Sequence, residues 1–455
     1  MWRRGQAPVA ATADRHHQTR CDPLMSIPAE SYYRASLERQ PSWPALEGKR
    51  QARVCVIGGG FAGLNTALGL AERDLGQVTL IEAQEIGHGA SGRNGGFVFG
   101  GFSRGEDALL RELGPQRARA LYAGTTDAVE LIRSRIHRHG IACDATEAGV
   151  IWANWFRDPE VLRSRQALLA EHYGVDWQWW SRERLREQVR SERYHGALFE
   201  PQALHFHPLK YAHGLASLAE NLGVAVHERT PALALERQGA AWRIKTERGE
   251  IEAEQIVLAC GGYLAGLRRE VDAGVMPIAT YVMVTEPLGD RLDSALHTRA
   301  AVYDTRFAFD YYRPLPDTRL LWGGRISVLD RSPEAVKRLL YRDLLKVFPQ
   351  LAGARVDYAW SGLMSYARHQ MPQVGRIGEG LWLAQAFGGH GVAPTTFAGE
   401  TVAAAIAHGD ERWRELSDYG LVSAMKPAGL LAAQLSYLWA QFKDAYKERS
   451  ERKPG

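Results

Sequence analysis

One stretch, Val54-Cys55-Val56-Ile57-Gly58-Gly59-Gly60-Phe61-Ala62-Gly63, limits what this chain can fold into more than any other. Arg53 to Ile57 is a short, β-branched apolar run, which is the pattern of a strand buried on both faces. Glycines follow at once. Leu64 to Arg73 then sets Leu64, Ala67, Leu68 and Ala71 at helical spacing. Val78 to Ile81 reads as a second strand, closed by Glu82 and Ala83. A G-x-G-x-x-G run between strand and helix is the signature of a βαβ unit that binds a dinucleotide. Gly58 permits the tight turn, Gly60 lets backbone approach a pyrophosphate, and Gly63 lets the helix lie close on the strand. Phe61 and Ala62 open that helix, whose free N–H groups and partial positive charge face the phosphates. Glu82 can accept hydrogen bonds from ribose hydroxyls and would repel a 2′-phosphate.

The fingerprint alone does not separate FAD from NAD. A second glycine-rich segment does: Gly87-His88-Gly89-Ala90-Ser91-Gly92-Arg93-Asn94-Gly95-Gly96 follows the acid directly. A long polar glycine loop here suits a longer ligand, with a second phosphate, a ribityl chain and a flavin. Ser91, Arg93, Asn94, Gly95 and Gly96 are therefore read as cofactor-binding. A third segment, Gly388-Gly389-His390-Gly391-Val392, lies between a strand at 381–384 and a helix from about 396. A helix start there favours the negative charge of a reduced flavin. Gly262, just after the strand at 255–259, joins this set. FAD is the expected cofactor, and no metal site is expected.

The remainder is interleaved. The reading gives an α/β class, α+β overall: a Rossmann-like FAD-binding domain assembled from separated segments, with an inserted, mainly antiparallel β substrate domain. Residues 25–145, 208–274 and 351–424 make the first domain, and 146–207 and 275–350 the second. Residues 1–24 are expected to be a disordered extension, with a start at Met25 left open. Residues 425–455 form an amphipathic helix and basic tail. There is no run of 18 apolar residues and no h-region after Arg3-Arg4, so neither a transmembrane helix nor a signal peptide is expected. The four cysteines, Cys21, Cys55, Cys143 and Cys260, contain no C-x-x-C pair, which points to a reduced, cytoplasmic chain. The net charge of +4 is spread along the chain, and no nucleic-acid partner is expected. Oligomeric state is left open.

Together these glycine segments resemble the glycine/D-amino acid oxidase family of FAD-dependent oxidoreductases. Val284-Thr285-Glu286-Pro287-Leu288, Tyr312-Arg313-Pro314, Leu321-Trp322-Gly323-Gly324-Arg325 and Pro372-Gln373-Val374-Gly375 resemble its γ-glutamylputrescine oxidoreductase-like branch. The resemblance spans about residues 30 to 445. It implies oxidation of a C–N bond, with a hydride equivalent passing to flavin N5, hydrolysis of the imine, and reoxidation by oxygen or another acceptor. Two departures stand out. Met364, in Trp360-Ser361-Gly362-Leu363-Met364, occupies the place where amino-acid-oxidising members often carry a carboxylate-binding Arg. Arg93 stands where members with covalent flavin carry a His, which implies non-covalent FAD.

Candidates for the chemistry are fewer. Tyr281, Tyr303, Tyr311 and Tyr312 lie on substrate-domain strands, and some of them should form an aromatic cage for a cationic amine. Tyr281 and Tyr312 are taken as catalytic candidates, with His207 beside His205 and with Arg306 as a replacement carboxylate binder. The expected partners are a small-molecule amine and an oxygen or quinone-type acceptor. The tail, with Leu431, Leu435, Leu438 and Phe442 in a stripe before Lys443, Lys447 and Arg449, suits its own domain, a partner subunit or a membrane surface. The alternative function is a flavin-dependent hydroxy-acid dehydrogenase that passes electrons to a quinone.

Overall fold

The structure, a computed structural model, describes residues 31–452. The expected extension 1–24 and the last residues of the basic tail lie outside these.

Strand Gly48–Ile57 is central to the first sheet, parallel to Val78–Ile81 on one side and to Gly249–Leu258 on the other. Ala225–His227 continues the sheet beyond Val78–Ile81, and Leu381–Gln385 continues it beyond Gly249–Leu258, both in parallel. Gln373–Gly378 closes one edge antiparallel. The first half of Gly249–Leu258 also carries the hairpin of Ala234–Gln238 and Ala241–Lys245. The apolar run at 54–57 is covered on both faces, as its continuity demands. Val54 and Val56 pack toward helices Phe61–Ala71, Pro208–Asn221 and Val392–His408, while Cys55 and Ile57 pack toward the hairpin.

The second sheet also has eight strands. Its order is Val356–Tyr366, Met276–Thr285, Leu320–Ser327, Tyr311–Pro314, Ala301–Asp304, Val150–Ala153, Ala197–Glu200 and Gln178–Trp180. Neighbours run antiparallel except Ala301–Asp304 with Val150–Ala153. Helix Pro333–Val347 covers one face through Val336, Leu340 and Leu344, which join Tyr281, Tyr312 and Trp322 in one core. The opposite face looks toward the first domain.

The mixed α/β architecture read from the sequence is present, with two differences of detail. Val356–Tyr366, expected in the third stretch of the FAD-binding domain, is an edge strand of the second sheet, paired with Met276–Thr285 along its length. The chain re-enters the first sheet only at Gln373. The Gly-rich segment at 388–392 leads into a helix that starts at Val392 rather than near Thr396. Pro394 falls in its first turn, where a missing N–H costs nothing. Among the described residues no helix is long and apolar enough to cross a membrane.

Candidate functional site

A cavity of about 1530 Å³ runs between the two sheets. It exceeds the 300–1,000 Å³ of ordinary small-molecule pockets and has room for a dinucleotide and a second molecule.

One wall is backbone. Gly58, at φ +118°, turns the chain from strand to helix, and a Cβ there would stand 2.5 Å from the Ala259 carbonyl oxygen. Gly63 sits one helical turn on, where a Cβ would lie 1.9 Å from the Gly58 carbonyl oxygen. The helix start thus touches the strand end and leaves its N–H groups at the cavity. The Glu82 carboxylate accepts from Gly59 N at 2.7 Å and Gln84 N at 3.0 Å, and Ser91 Oγ accepts from Phe61 N at 2.8 Å. Burial pushes the Glu82 carboxyl up, opposed by those backbone N–H groups. Asn94 ties its own loop, donating to Ala90 O and Ser91 O and accepting from Gly96 N.

The other wall is side chains. Phe97, Phe99, Tyr303, Phe309 and Tyr311 line the cavity with His390. Tyr303 stacks on Phe99 with ring centroids 5.7 Å apart, and His390 meets Phe99 edge-on at 4.9 Å. Burial, with Arg165 nearby, pushes the His390 imidazole down to about 4, so it is neutral at physiological pH. Met364, Ser365 and Tyr366 line the cavity next to Gly388 and Gly389. Arg325 also lines it, but its guanidinium is held by Asp343 through two bonds of 2.7 Å.

The structure brings most of the expected cofactor residues to one cavity. Gly58, Gly60, Phe61, Ala62, Glu82, Ala83, Ser91, Arg93, Asn94, Gly95, Gly262, Gly388, Gly389, His390, Gly391 and Val392 all line it. Gly63 and Gly96 do not. Gly63 serves helix–strand contact, and at Gly96 a Cβ would lie 2.1 Å from the Phe206 carbonyl oxygen.

None of the four catalytic candidates faces the cavity. Tyr281 points to the helix-covered side and donates to Leu329 O at 2.5 Å. Tyr312 stacks on Trp322 at 4.6 Å and shares a hydrogen bond with Tyr194. Both err by one residue: alternate strand positions face opposite ways, and the cavity takes Thr280 and Tyr311 instead. His207 caps helix Pro208–Asn221, its Nδ1 accepting from Lys210 N at 3.1 Å, and burial pushes its imidazole down to about 3. Arg306 is enclosed by Asp304 and Asp310 and lies over the Trp155 ring, so no fork remains for a substrate carboxylate.

Sequence reasoning passed over Arg313, a buried guanidinium that donates to Gly95 O at 2.7 Å and Phe206 O at 2.8 Å and so fixes the loop between the two walls. It also passed over Thr230-Pro231-Ala232-Leu233, which line the cavity near Glu82, and Phe97, Phe99 and Tyr366. The signal available was Gly323, where a Cβ would stand 2.0 Å from Tyr311 Cζ, so the missing side chain marks the face on which the Tyr311 ring lies.

Residues 53–405 match the family described as DAO, FAD dependent oxidoreductase. The chain belongs to this family of FAD-dependent oxidoreductases. It is 34% identical to the γ-glutamylputrescine oxidoreductase of Escherichia coli, over 86% of this chain and 91% of that protein. It is 32% identical to a probable oxidoreductase of Haemophilus influenzae, over 84% of this chain and 89% of that one. Among solved structures, glycine oxidase from Geobacillus kaustophilus is similar in fold, with a TM-score of 0.68 at 22% identity, covering 82% of this chain and 99% of that one. The cavity fits the cofactor of an FAD-dependent oxidoreductase. Its glycine wall leaves a path that a Cβ at Gly60 would enter beside Ser91 Oγ, 3.0 Å away, and Glu82 lines the same cavity.

Proposed function

We propose that this flavoenzyme oxidises the C–N bond of an amine whose body is cationic or apolar, with acylated diamines such as γ-glutamylputrescine ahead of simple amino acids. The carrying observation is the composition of the side-chain wall. Phe97, Phe99, Tyr303, Phe309 and Tyr311 present aromatic faces that attract an ammonium group. Of the three arginines that line the cavity among the described residues, Arg93, Arg325 and Arg368, the one on a strand of the second sheet, Arg325, is already paired with Asp343. Met364 offers a free α-carboxylate no partner, and a carboxylate buried unpaired costs several kcal/mol.

FAD supplies the two-electron acceptor for the C–H bond beside nitrogen and is held here without a covalent bond. Gly58 to Ala62 and Ser91 would hold the pyrophosphate, Glu82 the adenosine ribose, and Gly388 to Val392 the flavin ring. Neutral His390 adds no positive charge to repel the ammonium group. Arg368, exposed at the cavity rim, is available to a carboxylate on the far end of an acylated amine. Oxygen or a quinone-type compound takes the electrons onward; a contact of the tail helix with a membrane would favour the second. The hydroxy-acid reading is set aside, since the relatives named for a substrate are named for amines and amino acids.

Anaerobic bleaching of the flavin absorbance, read by stopped flow with putrescine, its N-acyl derivatives, glycine and D-alanine, tests the reading. Amines are expected to bleach faster. Faster bleaching by the amino acids would refute it. Met364→Arg should narrow the gap by about tenfold or more by supplying the missing fork.

A further inference from the structure

The tail helix Ala428–Arg452 follows the stretch matched to the family. It meets the body through polar groups. Gln434 accepts from Val328 N at 3.1 Å, Asp444 from Phe307 N at 2.8 Å, Glu448 from Trp155 Nε1 at 3.1 Å, and Glu451 from Arg157 N at 2.7 Å. Its inner face is small: Gly429, Ala432, Ala433 and Ser436 line the cavity with Tyr437.

The apolar face points the other way. Leu431, Leu435, Leu438, Trp439, Phe442 and Tyr446 are 54–68% exposed. Spaced three and four apart, they form one stripe about 22 Å long. A helix that serves only its own domain buries such a stripe and shows its polar side to water. Six side chains of this size expose on the order of 600 Å², the top of the range a monomer leaves in water. Charge is sorted the same way. Asp444, Glu448 and Glu451 turn toward the body, and the exposed charged side chains of this helix among the described residues are Lys443 and Arg449.

We propose that this outer face docks into the headgroup–acyl boundary of a bilayer that carries anionic phospholipid. Leucines and Phe442 enter the acyl edge. Trp439 and Tyr446 keep their N–H and O–H at the wet level. Lys443 and Arg449 meet anionic headgroups. A second copy of this chain is the weaker occupant: the seam of Leu431, Leu435, Leu438 and Phe442 spans about two heptads, short of the three to four that sustain a coiled coil. Because the inner face of the same helix walls the cavity, docking sets the cavity beside the bilayer. The proposal goes beyond the enzymatic reading and does not rest on it.

The test uses the full-length, flavin-loaded protein, sedimented with vesicles of phosphatidylcholine alone or with added phosphatidylglycerol. Pelleting with the anionic vesicles is expected, weakened by salt. Leu435→Ser with Phe442→Ser should cut partitioning about a hundredfold, tenfold per side chain, with the flavin spectrum unchanged. Lys443→Gln with Arg449→Gln should remove the preference for anionic vesicles. Brominated lipid should quench the protein's fluorescence, less so in Trp439→Phe, a variant that leaves the stripe apolar. Protein left in the supernatant with both vesicle types, or a dimer in sedimentation velocity that the Leu435→Ser and Phe442→Ser pair separates, would overturn the proposal.

Discussion

The two walls of the cavity are made of different material. On one side the chain presents backbone: N–H groups at a helix start, a carboxylate pinned by the Gly59 and Gln84 N–H groups, and glycines that let main chain come close. On the sheet side it presents rings, held by stacking on other rings such as Tyr303 between Phe99 and Trp152. A backbone wall tolerates almost no added atom, because its neighbours cannot rotate away. A side-chain wall can be recut ring by ring at modest cost to the fold. The first suits a fixed cofactor, and the second suits a substrate that differs among relatives.

That contrast breaks most visibly at Gly63. A methyl group there would sit 1.9 Å from a carbonyl oxygen, so Gly63→Ala should cost about 4 kcal/mol or more and release the flavin, read as lost absorbance of purified protein and an early unfolding transition. If Gly63→Ala keeps its flavin, the backbone wall is softer than described. Next come adjacent tyrosines on one strand. Tyr312→Ala should cost about 3–5 kcal/mol by denaturant unfolding and leave the substrate dependence of flavin reduction intact, because the ring packs away from the cavity. Tyr303→Ala should do the reverse, raising the amine concentration for half-maximal bleaching about tenfold with a smaller stability loss.

Glu200 sharpens the comparison by pH. It is buried near Tyr303 on the ring side, and burial pushes its carboxyl up to about 8. The native state therefore keeps a proton that the unfolded chain releases above about pH 4.3. The stabilisation is whole below that value, falls as pH rises, and is gone once pH passes about 8. Glu200→Gln should flatten this decline and leave the variant more stable than the parent at pH 8 by a few kcal/mol, measured as unfolding midpoints across the range. Equal slopes in both proteins would mean the carboxyl is not so strongly shifted. Smallest is Glu82→Gln on the backbone side, expected to weaken FAD by about 1–3 kcal/mol in a binding titration.

The same contrast governs how far each wall could be read in advance. Gly58, Gly60, Gly63 and Glu82 announce themselves because backbone geometry demands particular residues at particular spacings. The ring side has no such demand. Tyr281, Tyr303, Tyr311 and Tyr312 look alike in sequence, and which of them faces inward depends on strand parity and on a bulge between Ala279 and Tyr281 that no local pattern signals. Arg306 looked free because its two aspartates, Asp304 and Asp310, sit in the same short turn and read equally well as surface charge. Arg313 escaped notice because its partners, Gly95 and Phe206, are brought to it only by the fold.

The order of strands in the first sheet has a consequence for how the molecule is born. Leu258 pairs with Ile57 on one side and Leu383 on the other, so neighbours in space are more than a hundred positions apart along the chain. Closing such long loops is slow, and the pieces emerge from the ribosome well before the last strand that completes them. Flavin supply then acts as a late partner in maturation: by binding the finished state alone it draws the folding equilibrium forward, and the yield of intact protein should rise with free FAD in the refolding mixture.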